Sequence, residues 1–172
     1  MVVVFRTRAG SIRGGQAVRI DYHEHAEITR PMRVLSEAAT AGTLEPALLE
    51  LVKVRASQLN GCAHCLEMHT KDARAMGESD DRLHFVAAWR EAPVFSERER
   101  AALLWCEELT LITEREVPDE LYGEVRVLFS EDEMWRLTLA VVVINSWNRL
   151  AIAFRAPVGE YVSRAIATST TP

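Results

Sequence analysis

The sequence predicts an all-α fold, a single-domain helical bundle of about seven helices, on three observations. Apolar residues recur at helical spacing, helix caps recur at regular intervals, and no stretch alternates as a half-buried strand would. The 172 residues suffice for one domain with its own core, and no repeat, low-complexity tract or long linker divides them. The domain is expected over 19–166. An N-terminal extension over 1–18, flexible or ordered against a partner subunit, precedes it, and a fraying tail over 167–172 follows.

Composition narrows the function classes. Hydrophobic residues make up 48% and charged residues 26%, as in an ordinary globular protein. A net charge of −5 with no basic cluster argues against nucleic acid and against an anionic membrane surface. Val2 to Phe5 is the only apolar run near the start, too short for a signal-peptide core or a membrane span. Three cysteines, two of them closely spaced, suit a reducing compartment, so a cytoplasmic location is expected.

The elements follow in order. Asp21-Tyr22-His23-Glu24-His25 leads into a first helix, with Pro31 in its first turn, Ala41 near its end and Gly42 closing it. His23 and His25 read as surface histidines rather than metal ligands. Pro46 opens a second helix to about Leu59, whose apolar arc comprises Ala47, Leu48, Leu51, Val52, Val54 and Leu59. Asn60 is the expected N-cap of a third helix that runs to Gly77. Ser79 and two aspartates start a fourth, to about Glu91 before Pro93. Ser96-Glu97-Arg98-Glu99 is a capping box launching a fifth to about Thr113, in which Cys106 reads as a buried small hydrophobe. Val117-Pro118-Asp119 begins a sixth, to about Phe129. A second capping box, Ser130 to Glu133, leads into the apolar run from Met134 to Phe154. Asn145, Asn148 and Arg149 make that run a core or interface helix rather than a membrane span, and they require partners. A short helix is expected after Pro157.

The third helix carries the reactive residues. Cys62, Cys65, Leu66, His69, Ala73 and Met76 share one narrow face. Cysteines three apart on a helix have Cα atoms roughly 5 Å apart, within disulfide range, so the pair can open and close without backbone movement. The positive helix start favours a thiolate, and His69, one turn beyond Cys65, is placed to exchange a proton with it. His64 points to the other side of a regular helix. A zinc site and two inert core cysteines are the competing explanations. Zinc fails because Cys62 and His69 lie roughly 10 Å apart along the axis, too far to share one tetrahedral ion, so no metal is expected. Glu50, at the edge of the second helix's arc, reads by periodicity as a solvated carboxylate pairing with Lys53 at i+3. Its other reading is a half-buried proton acceptor beside the cysteine helix.

Glu50, eleven intervening residues, then Cys62-x-x-Cys65-x-x-x-His69 resembles the core motif of the alkylhydroperoxidase D-like branch of the carboxymuconolactone decarboxylase family. The resemblance extends through Ala87-Ala88-Trp89-Arg90, Ser96 to Leu109 and Ile144 to Leu150, and covers about 19–158. It implies an all-α fold assembling into trimers or hexamers and a thiol-dependent hydroperoxidase activity on a small-molecule hydroperoxide. It also implies that Cys65 attacks the peroxide, Cys62 resolves the product, and Glu50 and His69 relay protons, with His64 a secondary candidate. No bound cofactor is implied; the reductant is an external dithiol or adaptor of lipoyl type or similar. The helix-end field, strongest at Cys62, points to Cys62 as nucleophile instead, but only Cys65 has His69 one turn away. Two other readings remain: a redox sensor or disulfide-exchange protein that does not turn over, and a decarboxylase, which the cysteine pair counts against.

Overall fold

A computed structural model describes residues 17–21 and 24–163. The expected extension up to residue 16, the tail over 167–172 and His23 lie outside the described residues. Seven α-helices are present there and no strand: α1 Ala26–Thr40, α2 Pro46–Asn60, α3 Ala63–Ala75, α4 Asp80–Phe85, α5 Glu97–Thr110, α6 Asp119–Leu128 and α7 Glu131–Phe154.

α2 is the central element, packed against α3, α5 and α7. Its burial runs nearly all round: Leu48, Leu51, Val52 and Val54 of the expected arc are inside, Ala47 and Leu59 are only half-buried, and Leu49, Ala56 and Ser57 are inside as well. One face joins a core with Cys62, Cys65, Ala102, Cys106, Leu137 and Ile144. Leu51 and Val54 join a second core with Ala73, Leu83, Val86, Trp89 and Leu103. Burying each large aliphatic side chain contributes about 1.5–3 kcal/mol, so a helix with neighbours on both sides is firmly held. That rigidity fixes where Glu50 points.

Both capping boxes form. Ser96 accepts from the Glu99 backbone while Glu99 accepts from that of Ser96, and Ser130 and Glu133 do the same at the start of α7. α7 is long and apolar enough, by length and composition, to cross a bilayer. Here it packs against α1, α2 and α5, burying Met134, Leu137, Ala140, Val141 and Ile144 as a core helix does.

Four expectations are corrected. α1 starts at Ala26, so Pro31 falls in the second turn; the carbonyl that loses its i+4 donor to it belongs to exposed Glu27. Asn60 does not cap α3 but ends α2, because Gly61 turns left-handed at φ 69° directly after it. The fourth helix breaks at Phe85 into a single 3₁₀ turn, Val86–Ala88. Beyond it, the Arg100 guanidinium takes the carbonyls of Trp89, Arg90 and Ala92 and so replaces helical partners. No helix follows Pro157 within the described residues. Arg155 ends α7 at φ 56°, and residues 156–163 run as an irregular strap over α3.

Candidate active site

Cys62, not Asn60, caps α3: its Sγ accepts from the Cys65 backbone N–H at 3.4 Å. A sulfur on the positive end of a helix is where a thiolate is best stabilised. Cys62 and Cys65 are each 1% exposed, and all three cysteines are free thiols. The two sulfurs act directly on each other. The Cys65 thiol hydrogen-bonding to Cys62 lowers the Cys62 pKa, burial opposes this, and the Cys65 and His64 backbone N–H groups and the Asn148 side chain add to the lowering. Cys65 is pushed up by Cys62 and then by burial. The first charge on the pair therefore rests on Cys62.

The cavity favours the other cysteine. A space of ≈ 550 Å³ between α1, α3 and α7 is walled by Cys65, His69 and His64, but not by Cys62. His64 was expected on the far side of α3. It sits in the first turn, on the cavity wall, and its Nδ1–H donates to the Pro157 carbonyl at 2.6 Å. The same strap is tied to α3 by Gly159 N–H to Glu67 Oε2 at 2.6 Å, Lys71 Nζ to Tyr161 O at 2.7 Å and the Tyr161 hydroxyl to Asp72 at 2.9 Å. Met76, expected on the reactive face, is 47% exposed because the helix ends before it.

Glu50 combines its two readings. It pairs with Lys53 at 2.6 Å as the i+3 spacing predicts, yet it is 5% exposed rather than solvated. Its other oxygen accepts from His69 Nδ1 at 2.8 Å. Burial raises the Glu50 pKa, but the bonds and charges of His69 and Lys53 outweigh it and hold the carboxyl below the usual carboxylate range. An Nδ1–H committed to Glu50 leaves Nε2 as the basic atom of His69.

Sequence reasoning flagged Asn145 and Asn148 only as needing partners. They join Asn60 in a network at the sulfur pair. Asn60 Nδ2 donates to Asn145 Oδ1 and Asn148 Oδ1, both at 2.9 Å, and Asn148 Nδ2 donates to Ser57 Oγ at 3.2 Å. Asn148 is fully buried, and its side chain lowers the pKa of both thiols. The signal was a polar residue in an apolar run. Arg149, by contrast, lies exposed and bonds back to Asn145. Cys106 is fully buried, donates to the Val52 carbonyl at 3.3 Å and is pushed up to about 12 by burial, as an inert core residue should be.

Among the described residues, Glu50, His69 and Asp72 place donor atoms within 4.8 Å of one another, a grouping the cysteine-based zinc argument did not consider. The Lys53 ammonium on Glu50 and the Tyr161 hydroxyl on Asp72 already serve the two carboxylates, and the ammonium repels a dication.

The carboxymuconolactone decarboxylase family model matches residues 27–108. The uncharacterized protein YdfG of Bacillus subtilis is 43% identical over 136 residues, 78% of this chain and 92% of its own length. Among solved structures, a candidate antioxidant defence protein AhpD of unknown function from Agrobacterium tumefaciens is 36% identical, with TM-score 0.79 over 84% of this chain and 99% of its own. A peroxidase-related protein with an alkylhydroperoxidase AhpD core from Ralstonia eutropha shares the fold at 19% identity, with TM-score 0.72 over 81% and 74% of the two chains.

Proposed function

The chain belongs to the carboxymuconolactone decarboxylase family as an alkylhydroperoxidase D-like member, and we propose that it is a thiol-dependent hydroperoxide reductase. The observation that carries this reading is one cavity walled by Cys65 and His69, with Glu50 Oε2 2.8 Å behind the imidazole. The pair gives up its first proton to His69 Nε2, and the remaining proton settles on Cys62 as peroxide docks. The Cys65 thiolate then attacks the distal oxygen, the O–O bond breaks, and His69 returns the proton it took from the pair to the leaving alkoxide. Cys65 becomes a sulfenic acid. Cys62, whose pKa is depressed, ionises and attacks that sulfur, forming the disulfide and releasing water. An external dithiol, of lipoyl type or similar, reopens it by exchange and is itself oxidised. Thus the sulfur with the lower pKa resolves and the sulfur on the cavity attacks. Glu50 keeps His69 oriented and stabilises its cationic form. His64, committed to Pro157, shapes the wall. The family's homo-oligomeric assembly, as a trimer or hexamer, and a reducing, cytoplasmic setting belong to the same proposal.

The test is steady-state consumption of cumene hydroperoxide with dihydrolipoamide as reductant. Sustained turnover that both Cys65→Ser and Cys62→Ser abolish is expected. A wild type that oxidises once and stops makes the protein a redox sensor and overturns the proposal. Sedimentation at three or six times 19.3 kDa is expected of the same sample, and a monomer contradicts the assembly.

A further inference from the structure

The cavity is far larger than its chemistry at Cys65 needs. Hydrogen peroxide is little bigger than water, which occupies about 30 Å³, whereas ≈ 550 Å³ is the size of a site for a drug-sized ligand. Met68 from α3 and Ala140, Val143, Ile144, Trp147 and Ala151 from α7 make most of its wall apolar. A body of many carbon atoms fits that lining.

The wall charges are asymmetric. Lys53 is taken by Glu50 at 2.6 Å. Asp72 accepts from Tyr161 and stands within 4.8 Å of His69, at the cysteine side. On α1, across the cavity from α3, Arg33 offers five N–H donors and has one hydrogen bond among the described residues, to the neutral hydroxyl of Thr29 at 3.3 Å on its own helix. No carboxylate of this chain meets it among the described residues. Arg33 is itself exposed, at the rim of the same cavity whose lining includes Cys65.

We propose that the oxidising substrate is an apolar hydroperoxide bearing a carboxylate, of which a fatty-acid hydroperoxide is the type. Its chain lies along the α7 wall, its acid group meets Arg33 and its peroxide meets Cys65. This deepens the hydroperoxidase reading and rests on it. Recognition of the carboxylate adds no chemical step; the O–O bond is cleaved as above.

Two measurements separate this inference from the activity it builds on. The first needs no O–O bond: binding of decanoate and of decanol to Cys65→Ser protein, read by tryptophan fluorescence. Decanoate is expected to bind about tenfold more tightly, the effect of one charge-assisted contact at a water-exposed rim, and Arg33→Ala should bring the two ligands level. The second compares kcat/KM for a fatty-acid hydroperoxide and its methyl ester, with uncharged dihydrolipoamide as reductant so that the only variable charge is on the peroxide. The acid should be preferred about tenfold in wild type and in Arg33→Lys, and not in Arg33→Ala. Equal binding of acid and alcohol in the first experiment, or a preference that survives Arg33→Ala in either, overturns the inference. Absence of all peroxide turnover with decanoate preference intact would sink the hydroperoxidase reading instead.

Discussion

Asn148 Nδ2 and Glu50 Oε2 control the charge of this site from two sides, one at the sulfurs and one behind the imidazole. Removing the amide in Asn148→Ala should raise the apparent pKa of the first thiol to ionise by about one unit, as loss of a hydrogen bond to a charged group does. The pH profile of iodoacetamide alkylation reads this, and an unmoved profile would detach Asn148 from the sulfurs. For Glu50 the folded pKa lies below its unfolded value of about 4.3. Its pairing therefore stabilises the fold fully above that value, and the contribution is lost as pH falls through the lower folded pKa. Urea unfolding between about pH 5 and pH 3 should fall less steeply for Glu50→Gln than for wild type; parallel curves would refute the linkage. At this scale the cysteines and His69 were legible from their spacing alone. Glu50 was half legible: the wheel gave its Lys53 partner correctly, but no local pattern reveals that a helix 19 residues on supplies the second.

Helix starts were legible where a serine side chain performs the cap, at Ser79, Ser96 and Ser130. They were misread where tertiary partners decide. Asn60 has the composition of an N-cap, yet the asparagines of α7 claim its amide. Beyond the 3₁₀ turn the chain leaves the helical path where Arg100, from the next helix, takes its carbonyls, and the strap after Pro157 runs irregularly where α3 side chains bond its backbone. Glu107 is the clearest case. It is 2% exposed and accepts from Arg55 at 2.7 Å, Trp89 at 2.7 Å and Arg90 at 2.5 Å, tying α5 to α2 and the 3₁₀ turn. Glu107→Gln should cost about 3 kcal/mol by leaving half-buried Arg55 short of its counter-charge, toward the low end because Arg90 is half exposed. Chemical denaturation measures it, and a loss under about 1 kcal/mol would show that the network is dispensable.

Across the whole molecule, α2 separates two cores and holds Glu50 rigidly against α3, while α1, α7 and the strap leave a cavity at the Cys65 sulfur. The fold class was legible from periodicity because every helix buries one face or more; the cavity was not, since its walls come from five separate segments of the chain. That arrangement divides the labour between two cysteines whose charges and positions point opposite ways. The direct test is to treat Cys62→Ser protein with one equivalent of cumene hydroperoxide, trap sulfenic acid with dimedone and map the adduct by mass spectrometry. The adduct is expected on Cys65, and the companion Cys65→Ser protein should give none on Cys62. An adduct on Cys62 in the companion protein, with none on Cys65, would contradict the assignment and make the sulfur at the helix end the nucleophile.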